Sequence, residues 1–177
     1  MRNLIVAEFI SLDGVIQAPG GKEEDTEGGF AQGGWTWPYW HDEIGVRFFQ
    51  LMSRADALLL GRKTWRIHGA AFEPQDGEPF ADAMNGIRKY VVSSTLESAE
   101  AWRNSFIIKE DIVETVRRLK EEEGKDILLD GSAQLARLLA SSGLIDEYDL
   151  HVYPIILGGG KRIFPEGKRL DLELIEA

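Results

Sequence analysis

The fold of this chain is decided by residues 58–65, which read Leu-Leu-Leu-Gly-Arg-Lys-Thr-Trp. The apolar half predicts a buried strand, and Gly61 after it lets the chain turn tightly and lets a ligand approach the backbone. The guanidinium of Arg62 is a planar set of donors that matches a phosphate group. Thr64 begins a predicted short helix, whose first N–H groups are free to bind an anion. Taken alone, such a stretch is more often a basic turn in contact with solvent.

Two further strands end in groups that suit an anionic ligand. The strand predicted over residues 88–94 ends in two serines, and the strand over residues 126–130 leads into a Gly-Ser-Ala turn and a helix. Ligands of open α/β sheets collect at the carboxyl ends of the strands. A glycine turn at a helix N-terminus adds free N–H groups and the positive end of the helix dipole. The three strand ends together therefore predict a phosphate-binding edge.

The composition is that of a single globular domain over residues 1–177. A length of 177 residues with 44% hydrophobic content leaves room for a core. The net charge of −10 argues against a nucleic-acid partner, which needs a basic surface. The apolar runs are too short to cross a membrane, and residues 3–11 predict a strand rather than a signal peptide. The absence of cysteine excludes disulfide and thiolate chemistry and fits a cytoplasmic protein.

Predicted strands and helices alternate along the chain, which indicates a mostly parallel sheet covered on both faces. The predicted strands cover residues 3–11, 56–61, 88–94, 106–108, 126–130, 147–156 and 170–176. The predicted helices cover residues 40–54, 110–123 and 133–142. The remaining long segments, residues 17–37 and 66–86, are predicted to be mostly loop, with one short helical piece at 80–84.

The order of these motifs resembles that of dihydrofolate reductase-like proteins. The opening segment around Ser11-Leu12-Asp13-Gly14 and the later residues 154–160, PIILGGG, are typical of a narrower group. That group is the reductase domain of bacterial bifunctional riboflavin-biosynthesis proteins and their free-standing relatives, and the resemblance covers nearly the whole chain. It implies a three-layer α/β/α fold with a mostly parallel central sheet and an antiparallel C-terminal strand or hairpin. Relatives usually carry one more strand after the one predicted at 170–176.

The resemblance also implies NADPH as the cofactor, held at the three strand ends. Arg62 with the two serines would hold the ribose phosphate, and the glycine turn after residue 130 would meet the pyrophosphate with help from Thr64. Many dihydrofolate reductases have a further basic residue where this chain has Gln134, so NAD stays an alternative to NADP. The implied cofactor-binding residues are Gly61, Arg62, Thr64, Ser93, Ser94, Gly131, Ser132 and Ala133.

The substrate side rests on an aromatic segment and a pair of cations. Residues 33–40, GGWTWPYW, place four aromatic rings beside glycines, and Trp37 and Trp40 would stack on a flat heterocycle. A hydrophobic plug under the loop and a subunit contact are equal alternatives for this segment. Lys161 and Arg162 are the cations available for a substrate phosphate, although a solvated loop is the simpler interpretation of that pair.

Two carboxylates are candidates for catalysis. Glu8 lies inside an apolar strand, where a carboxylate is costly unless it is paired or useful. Asp13 in Leu-Asp-Gly is more often a turn former, and the resemblance implies that it also lies where the first strand meets cofactor and substrate. The carboxylate with which dihydrofolate reductases contact the pterin would fall near Gly45, and its absence argues against true dihydrofolate reductase activity.

Other chemistry is excluded by what the sequence lacks. His41, His68 and His151 form no metal-ligand spacing, so no metal site is predicted. The zinc deaminase signature that accompanies this reductase in bifunctional proteins is absent.

The implied function is NADPH-dependent reduction of a pyrimidine or pterin-like small molecule. The specific expectation is a 5-amino-6-(5-phosphoribosylamino)uracil reductase of riboflavin biosynthesis. A reductase of another pterin, imine or carbonyl is the alternative within enzymes, and a nucleotide-binding module without turnover is the alternative outside them. A homodimer is expected from the resemblance, with edge strands and the tryptophan segment as contacts, and neither nucleic acid nor membrane is expected as a partner.

Overall fold

The computed structural model describes residues 1–164 and 166–177 of the chain. Within them the chain forms six β-strands and five α-helices. The strands are β1 Leu4–Ser11, β2 Ala55–Gly61, β3 Arg88–Val92, β4 Ser105–Ile108, β5 Asp126–Asp130 and β6 Glu147–Tyr153. The helices are α1 Asp42–Arg54, α2 Arg62–Phe72, α3 Pro79–Gly86, α4 Ile112–Glu121 and α5 Ala133–Ser141.

The strands form one sheet in the order β4-β3-β2-β5-β1-β6, and every neighbouring pair is parallel. The mostly parallel sheet predicted from the sequence is therefore confirmed. Because all six strands run the same way, their carboxyl ends lie along one edge of the sheet. The three strand ends with phosphate-binding character consequently share that edge, on the neighbouring strands β3, β2 and β5.

Helices cover both faces of this sheet, as the apolar patterns predict. On one face α1, α2 and α3 pack on alternate strand residues, and on the other face α4 and α5 pack on the remaining ones. The alternation is visible in β1, where Leu4 and Val6 belong to one cluster and Ile5 and Ala7 to the other. Strands buried on both faces explain the nearly continuous apolar runs of the sequence.

The predicted C-terminal strand is the main correction to the fold. Among the described residues, 170–176 form no strand, and the antiparallel pairing outside the sheet is a single bridge between Val15 and Arg162. The expected antiparallel C-terminal strand or hairpin is therefore wrong. Leu172, Leu174 and Ile175 are 61–79% exposed, because no neighbouring strand covers them. A segment of alternating apolar and charged residues forms a β-strand only when a neighbouring strand pairs with it.

Helix α2 corrects the prediction that residues 66–86 are mostly loop. Gly69 makes the helix hard to predict from the sequence, because glycine is a poor helix former. In the structure this glycine permits a close approach, since an added Cβ would lie 3.2 Å from the Cβ of the fully buried Trp102. The helix is therefore stabilised by tertiary packing that local propensity does not reveal.

Candidate functional site

The turns after β2 and β5 are hydrogen-bonded to each other. The backbone N–H of Gly61 donates to Oγ of Ser132 over 2.7 Å, and the N–H of Ser132 donates to Oγ1 of Thr64 over 3.1 Å. Gly131 has a φ of +61°, and a Cβ there would lie 2.8 Å from Thr64. Glycine is therefore required at this close approach. The structure brings these four predicted residues together, although their hydroxyls already bind the opposite turn.

Two helices begin at these turns and point their N-termini at the same edge. Helix α2 starts at Arg62 and α5 starts at Ala133, so the first N–H groups of each have no acceptor within the helix. Within the described chain, neither first turn carries an acidic residue that would neutralise the helix dipole. The edge therefore presents backbone donors from two helices, an arrangement that suits an anion.

The predicted ribose-phosphate residues divide into one structural and two accessible side chains. Ser93 is buried, and its Oγ accepts hydrogen bonds from the N–H groups of Thr95 (3.3 Å) and Leu96 (3.0 Å). Ser94 and Arg62 are exposed, and Nη1 of Arg62 donates to Oγ1 of Thr95 over 2.7 Å. Thr95 thus lies beside Arg62 at the predicted phosphate-binding edge, although the sequence did not indicate it.

An acidic loop, defined here as residues 20–27, lies over the carboxyl edge of the sheet and forms ion pairs with two lysines. Asp25 contacts Nζ of Lys63 at 2.6 Å and Nζ of Lys161 at 2.7 Å. Glu27 contacts the same two lysines at 2.9 and 2.5 Å. Burial acts to raise the pKa of Asp25, but hydrogen bonds from Lys161 and Lys63 outweigh it and lower the pKa to about 2. Lys161, a predicted substrate-phosphate cation, is therefore bound to loop carboxylates here.

Asp13 stabilises the turn after β6. Its Oδ1 accepts hydrogen bonds from Oγ of Ser11 (2.7 Å) and N–H of Leu157 (3.0 Å), and Oδ2 accepts one from N–H of Gly158 (2.9 Å). The bond from Ser11, followed by those from the backbone, lowers the pKa of Asp13 to about 2. Arg162 donates from Nε to the carbonyl of Asp13 over 2.9 Å. Asp13 therefore holds no proton to donate at neutral pH.

Glu8 is a buried carboxyl with an unmet hydrogen-bonding group. It is 5% exposed, and among the described residues its Oε1 has no hydrogen-bond partner. Burial and then the charge of Asp130 raise the pKa of Glu8 well above its ordinary value, although a backbone hydrogen bond from Gly131 opposes this. Glu8 therefore resists ionisation, as expected for a carboxyl placed inside an apolar strand.

A histidine–aspartate pair lies beside Glu8, and the sequence did not reveal it. Nε2 of His68, on α2, lies 2.7 Å from Oδ2 of Asp130, the last residue of β5. Burial acts to lower the pKa of His68, but the charge and hydrogen bond of Asp130, with a further contribution from Glu24, raise it above the ordinary value. The two residues are 62 positions apart, so no local motif joins them.

The aromatic segment separates into a buried ring and exposed rings. Trp35 is 5% exposed and packs edge-to-face on Tyr153 at 5.3 Å between ring centroids. Trp37 and Trp40 are 62% and 44% exposed and lie 5.8 Å apart between centroids. Trp35 is thus the hydrophobic plug, and the two predicted substrate-binding tryptophans are available to a ligand or a partner.

A cavity of about 560 Å³ lies between the loop over residues 27–32 and the turn over residues 159–161. Its lining includes Glu27 and Lys161, which form an ion pair with each other. No group of His, Asp and Glu side chains in the described part of the chain converges as a metal site would require. The helices described are all too short or too polar to cross a bilayer.

A parallel sheet with glycine turns and two helix N-termini at one carboxyl edge is the arrangement in which open α/β folds bind nucleotides. The sequence matches the family model of the RibD C-terminal domain over residues 2–177, and the chain belongs to that family. Membership supports a reductase of the RibD type. Two relatives from Bacillus subtilis (strain 168) are the uncharacterized proteins YyaP and YwjB, each 28% identical to this chain. The alignments cover 98% and 93% of this chain and 87% and 84% of those proteins.

Solved structures confirm the dihydrofolate reductase-like fold. A protein from Shewanella sp. PV-4 assigned to riboflavin biosynthesis superposes with a TM-score of 0.73 at 24% identity, over 98% of this chain and 90% of that one. Dihydrofolate reductase from Enterococcus faecalis, in complex with NADP(H) and RAB-propyl, superposes with a TM-score of 0.56 at 17% identity. That alignment covers 93% of this chain and 77% of the reductase.

Proposed function

We propose that this protein is an NADPH-dependent reductase of a pyrimidine or pterin-like small molecule. The specific proposal is a 5-amino-6-(5-phosphoribosylamino)uracil reductase, or a close relative of one, acting in the cytoplasm. The observation that carries the proposal is the pair of helix N-termini, at Arg62 and Ala133, beside interlocked glycine turns on one edge of the sheet. Such an edge suits the pyrophosphate of a dinucleotide.

The donor set at this edge fits NADPH. Backbone N–H groups at the start of α2 and α5 would hold the pyrophosphate, with Gly61 and Gly131 keeping the turns open. Arg62, Ser94 and Thr95 would hold the ribose phosphate, since they are the accessible polar groups after β2 and β3. The bound cofactor supplies a hydride, and the chain positions the two reactants and excludes water.

The substrate would lie at the β1 and β6 side of the same edge. Trp37 and Trp40 would stack on its heterocycle. Lys161 would hold a substrate phosphate only after Asp25 and Glu27 release it, because both carboxylates bind it in this structure. Arg162 would assist from the neighbouring turn. Glu8 and Asp13 would supply polarity at the end of β1, the first as a neutral acid and the second as a fixed anion.

Two other functions are kept as alternatives to be tested. A reductase of a different pterin, imine or carbonyl would use the same cofactor edge. A nucleotide-binding module would bind NADPH without oxidising it on any substrate. In each case we propose a homodimer.

Calorimetric titration of the purified protein with NADPH and NADH tests the cofactor proposal directly. Micromolar binding of NADPH with clear discrimination against NADH is the expected result. Subsequent measurement of NADPH oxidation with aminopyrimidine and pterin substrates separates a reductase from a binding module. A protein that binds neither dinucleotide is not a reductase of this kind.

A further inference from the structure

The His68–Asp130 pair lies next to the glycine turn of the proposed cofactor-binding edge. We assign it no role in holding the dinucleotide. Asp130 ends β5 and immediately precedes the glycine turn. His68 is six residues into α2, or about 9 Å along the helix from its N-terminus. The side chains are 21% and 17% exposed, so the pair is partly shielded but still reaches solvent.

Aromatic packing fixes the imidazole of His68 in place. Its ring lies edge-to-face on the fully buried Trp102 at 6.4 Å between centroids, and 5.7 Å from the ring of Phe72. Among the described residues, Asp130 is its one hydrogen-bond partner, through Nε2. Nδ1 of His68 and Oδ1 of Asp130 therefore have no partner within the described chain, and they are the polar atoms of the pair available to a ligand.

Carboxyl groups approach the imidazole from β5 and from the acidic loop. Asp130 contacts it from β5 and Glu24 acts on it from the loop, while Glu8 of β1 acts on Asp130. Glu24 is itself held by N–H groups of Gly20 and Gly21, at 2.7 and 2.9 Å. This negative surrounding favours the imidazolium form and raises the pKa of His68 above its ordinary value despite the burial of the ring.

We propose that His68 is the proton donor of the reductase and that Asp130 is its positioning residue, an assignment that rests on the proposed function. Reduction of a C=N or C=O group breaks its π bond, and a hydride with its two electrons forms the new C–H bond. The hydride comes from the reduced nicotinamide dinucleotide, which is thereby oxidised. A proton must form the new N–H or O–H bond. That proton leaves the imidazolium of His68, which becomes neutral imidazole, while Asp130 keeps its negative charge.

The other acids of the edge are less suited to this step. Asp13 is fully ionised at neutral pH because three donors hold its carboxylate. Glu8 keeps its proton, but its anion would be left buried and unpaired after transfer. Of these three groups, His68 combines a raised pKa with a product state that is neutral after the proton has left.

An NMR titration of the three histidines tests the pair without turnover. His68 should titrate above 6.5, the ordinary value of a histidine, whereas burial should bring His151 below it. Asp130→Asn, which conserves volume, should lower the pKa of His68 from its wild-type value. His41→Gln assigns the resonance of the exposed histidine and serves as a matched control substitution.

The pH dependence of NADPH oxidation on 5-amino-6-(5-phosphoribosylamino)uracil tests the proton step itself. The wild-type kcat should fall as the pH rises through the pKa of His68. His68→Gln should lower kcat by roughly 10²- to 10⁴-fold and abolish that alkaline limb. Asp130→Asn should move the limb to lower pH, and His41→Gln should leave the profile unchanged. The Kd for NADPH should stay within about two-fold of wild type in both site variants, because general acid catalysis does not require cofactor binding to change.

The outcomes separate this inference from the function on which it rests. A folded His68→Gln variant that binds NADPH and keeps the wild-type rate and alkaline limb overturns the proton assignment alone. A wild-type His68 that titrates below 6.5 does the same. Failure of the wild-type protein to bind NADPH overturns both proposals. Circular dichroism establishes that the variants are folded, and Asp130→Asn provides the second test if His68→Gln does not fold.

Discussion

Arg62 carries an exposed guanidinium at the predicted phosphate-binding edge, and its removal tests the choice between the two dinucleotides. We expect Arg62→Ala to weaken NADPH binding by roughly 10- to 100-fold, because a hydrogen bond from a charged group contributes about 1.5–3 kcal/mol. NADH binding should change far less, since NADH lacks the ribose phosphate. Calorimetric titration of both dinucleotides measures the difference.

Arg66 provides the matched control for this substitution. It is exposed on the same helix, one turn after Arg62, and Arg66→Ala should leave both affinities unchanged. Equal losses of NADPH and NADH in Arg62→Ala would remove the role assigned to that guanidinium.

Glu8 makes the stability of the protein depend on pH. Its folded-state pKa is raised above the ordinary value of 4.5, so the folded state binds the proton more tightly than the unfolded chain. Stability from this group is therefore present below that value and lost as the pH rises through the folded pKa. Glu8→Gln should raise the free energy of unfolding at pH 7, because the neutral amide avoids the cost of ionising a buried carboxyl. Urea unfolding at pH 7 and at pH 4 measures this.

The gain from Glu8→Gln should shrink towards zero at the lower pH, where the wild-type carboxyl is protonated. A variant that is less stable than wild type at pH 7 would show that Glu8 is ionised and partnered in the folded protein.

Individual residues also show which parts of the candidate site can be predicted from the sequence and which cannot. Gly61, Thr64, Gly131 and Ser132 were predictable because each stands at the end of a recognisable strand, and the structure joins them. The contact between His68 and Asp130 was not predictable, because it depends on the placement of α2 against β5. The pKa of a histidine is shifted by its burial and by a charged partner, and both are properties of the folded chain.

At the scale of elements, we make two opposite predictions for tryptophans of the aromatic segment, residues 33–40. Trp37→Ala should change substrate KM or kcat while the free energy of unfolding stays within about 0.5 kcal/mol, because the ring is 62% exposed. Trp35→Ala should lose about 3–5 kcal/mol of stability, because that ring is buried against Tyr153. Steady-state kinetics and chemical unfolding of both variants measure the contrast. A large loss of stability in Trp37→Ala would assign it to the core instead.

The acidic loop should compete with anionic ligands for Lys63 and Lys161. Asp25→Asn should tighten binding of inorganic pyrophosphate by about two- to five-fold, because ion pairs that are partly open to solvent contribute about 0.2–1 kcal/mol each. Since the pKa of Asp25 is about 2, the competition should persist over the whole range above about pH 4. Calorimetric titration with pyrophosphate measures the affinity.

Glu23 supplies the matched control, because it is an exposed carboxylate of the same loop. Glu23→Gln should have no effect on pyrophosphate affinity. If Asp25→Asn weakens that affinity, the loop carboxylates organise the lysines for the ligand instead of competing with it.

Helices and strands differ in how far the sequence predicts them. Helix α4 was predictable, because Val116 and Leu119 repeat on one face among charges. Helix α2 was not, because its burial depends on Trp102, which meets Gly69 only in the folded chain. The strand expected over 170–176 has the required alternation, but a strand also needs a hydrogen-bonded neighbour, and the sequence does not say whether one is present.

At the scale of the whole molecule, β6 leaves one edge of the sheet unpaired beside exposed apolar side chains. Val152 is 59% exposed and Ile156 71%. The proposed homodimer would cover this surface, so Val152→Lys should shift the protein from dimer to monomer. Sedimentation equilibrium measures the change in mass. Phe106→Lys, at the opposite edge strand β4, is the control. If that variant dissociates instead, the contact lies at the other edge.

The position of β1 in the sheet has a consequence for how the chain folds while it is being synthesised on the ribosome. This strand is made first, yet both of its neighbours, β5 and β6, are made last. At translation rates of about 5–20 residues per second, β1 waits roughly 6–30 s before residues 126–153 emerge. During that interval Leu4, Ile5 and Val6 have no strand to pair with. Nascent chains of this topology should therefore expose the apolar residues of β1 until β5 and β6 have been made.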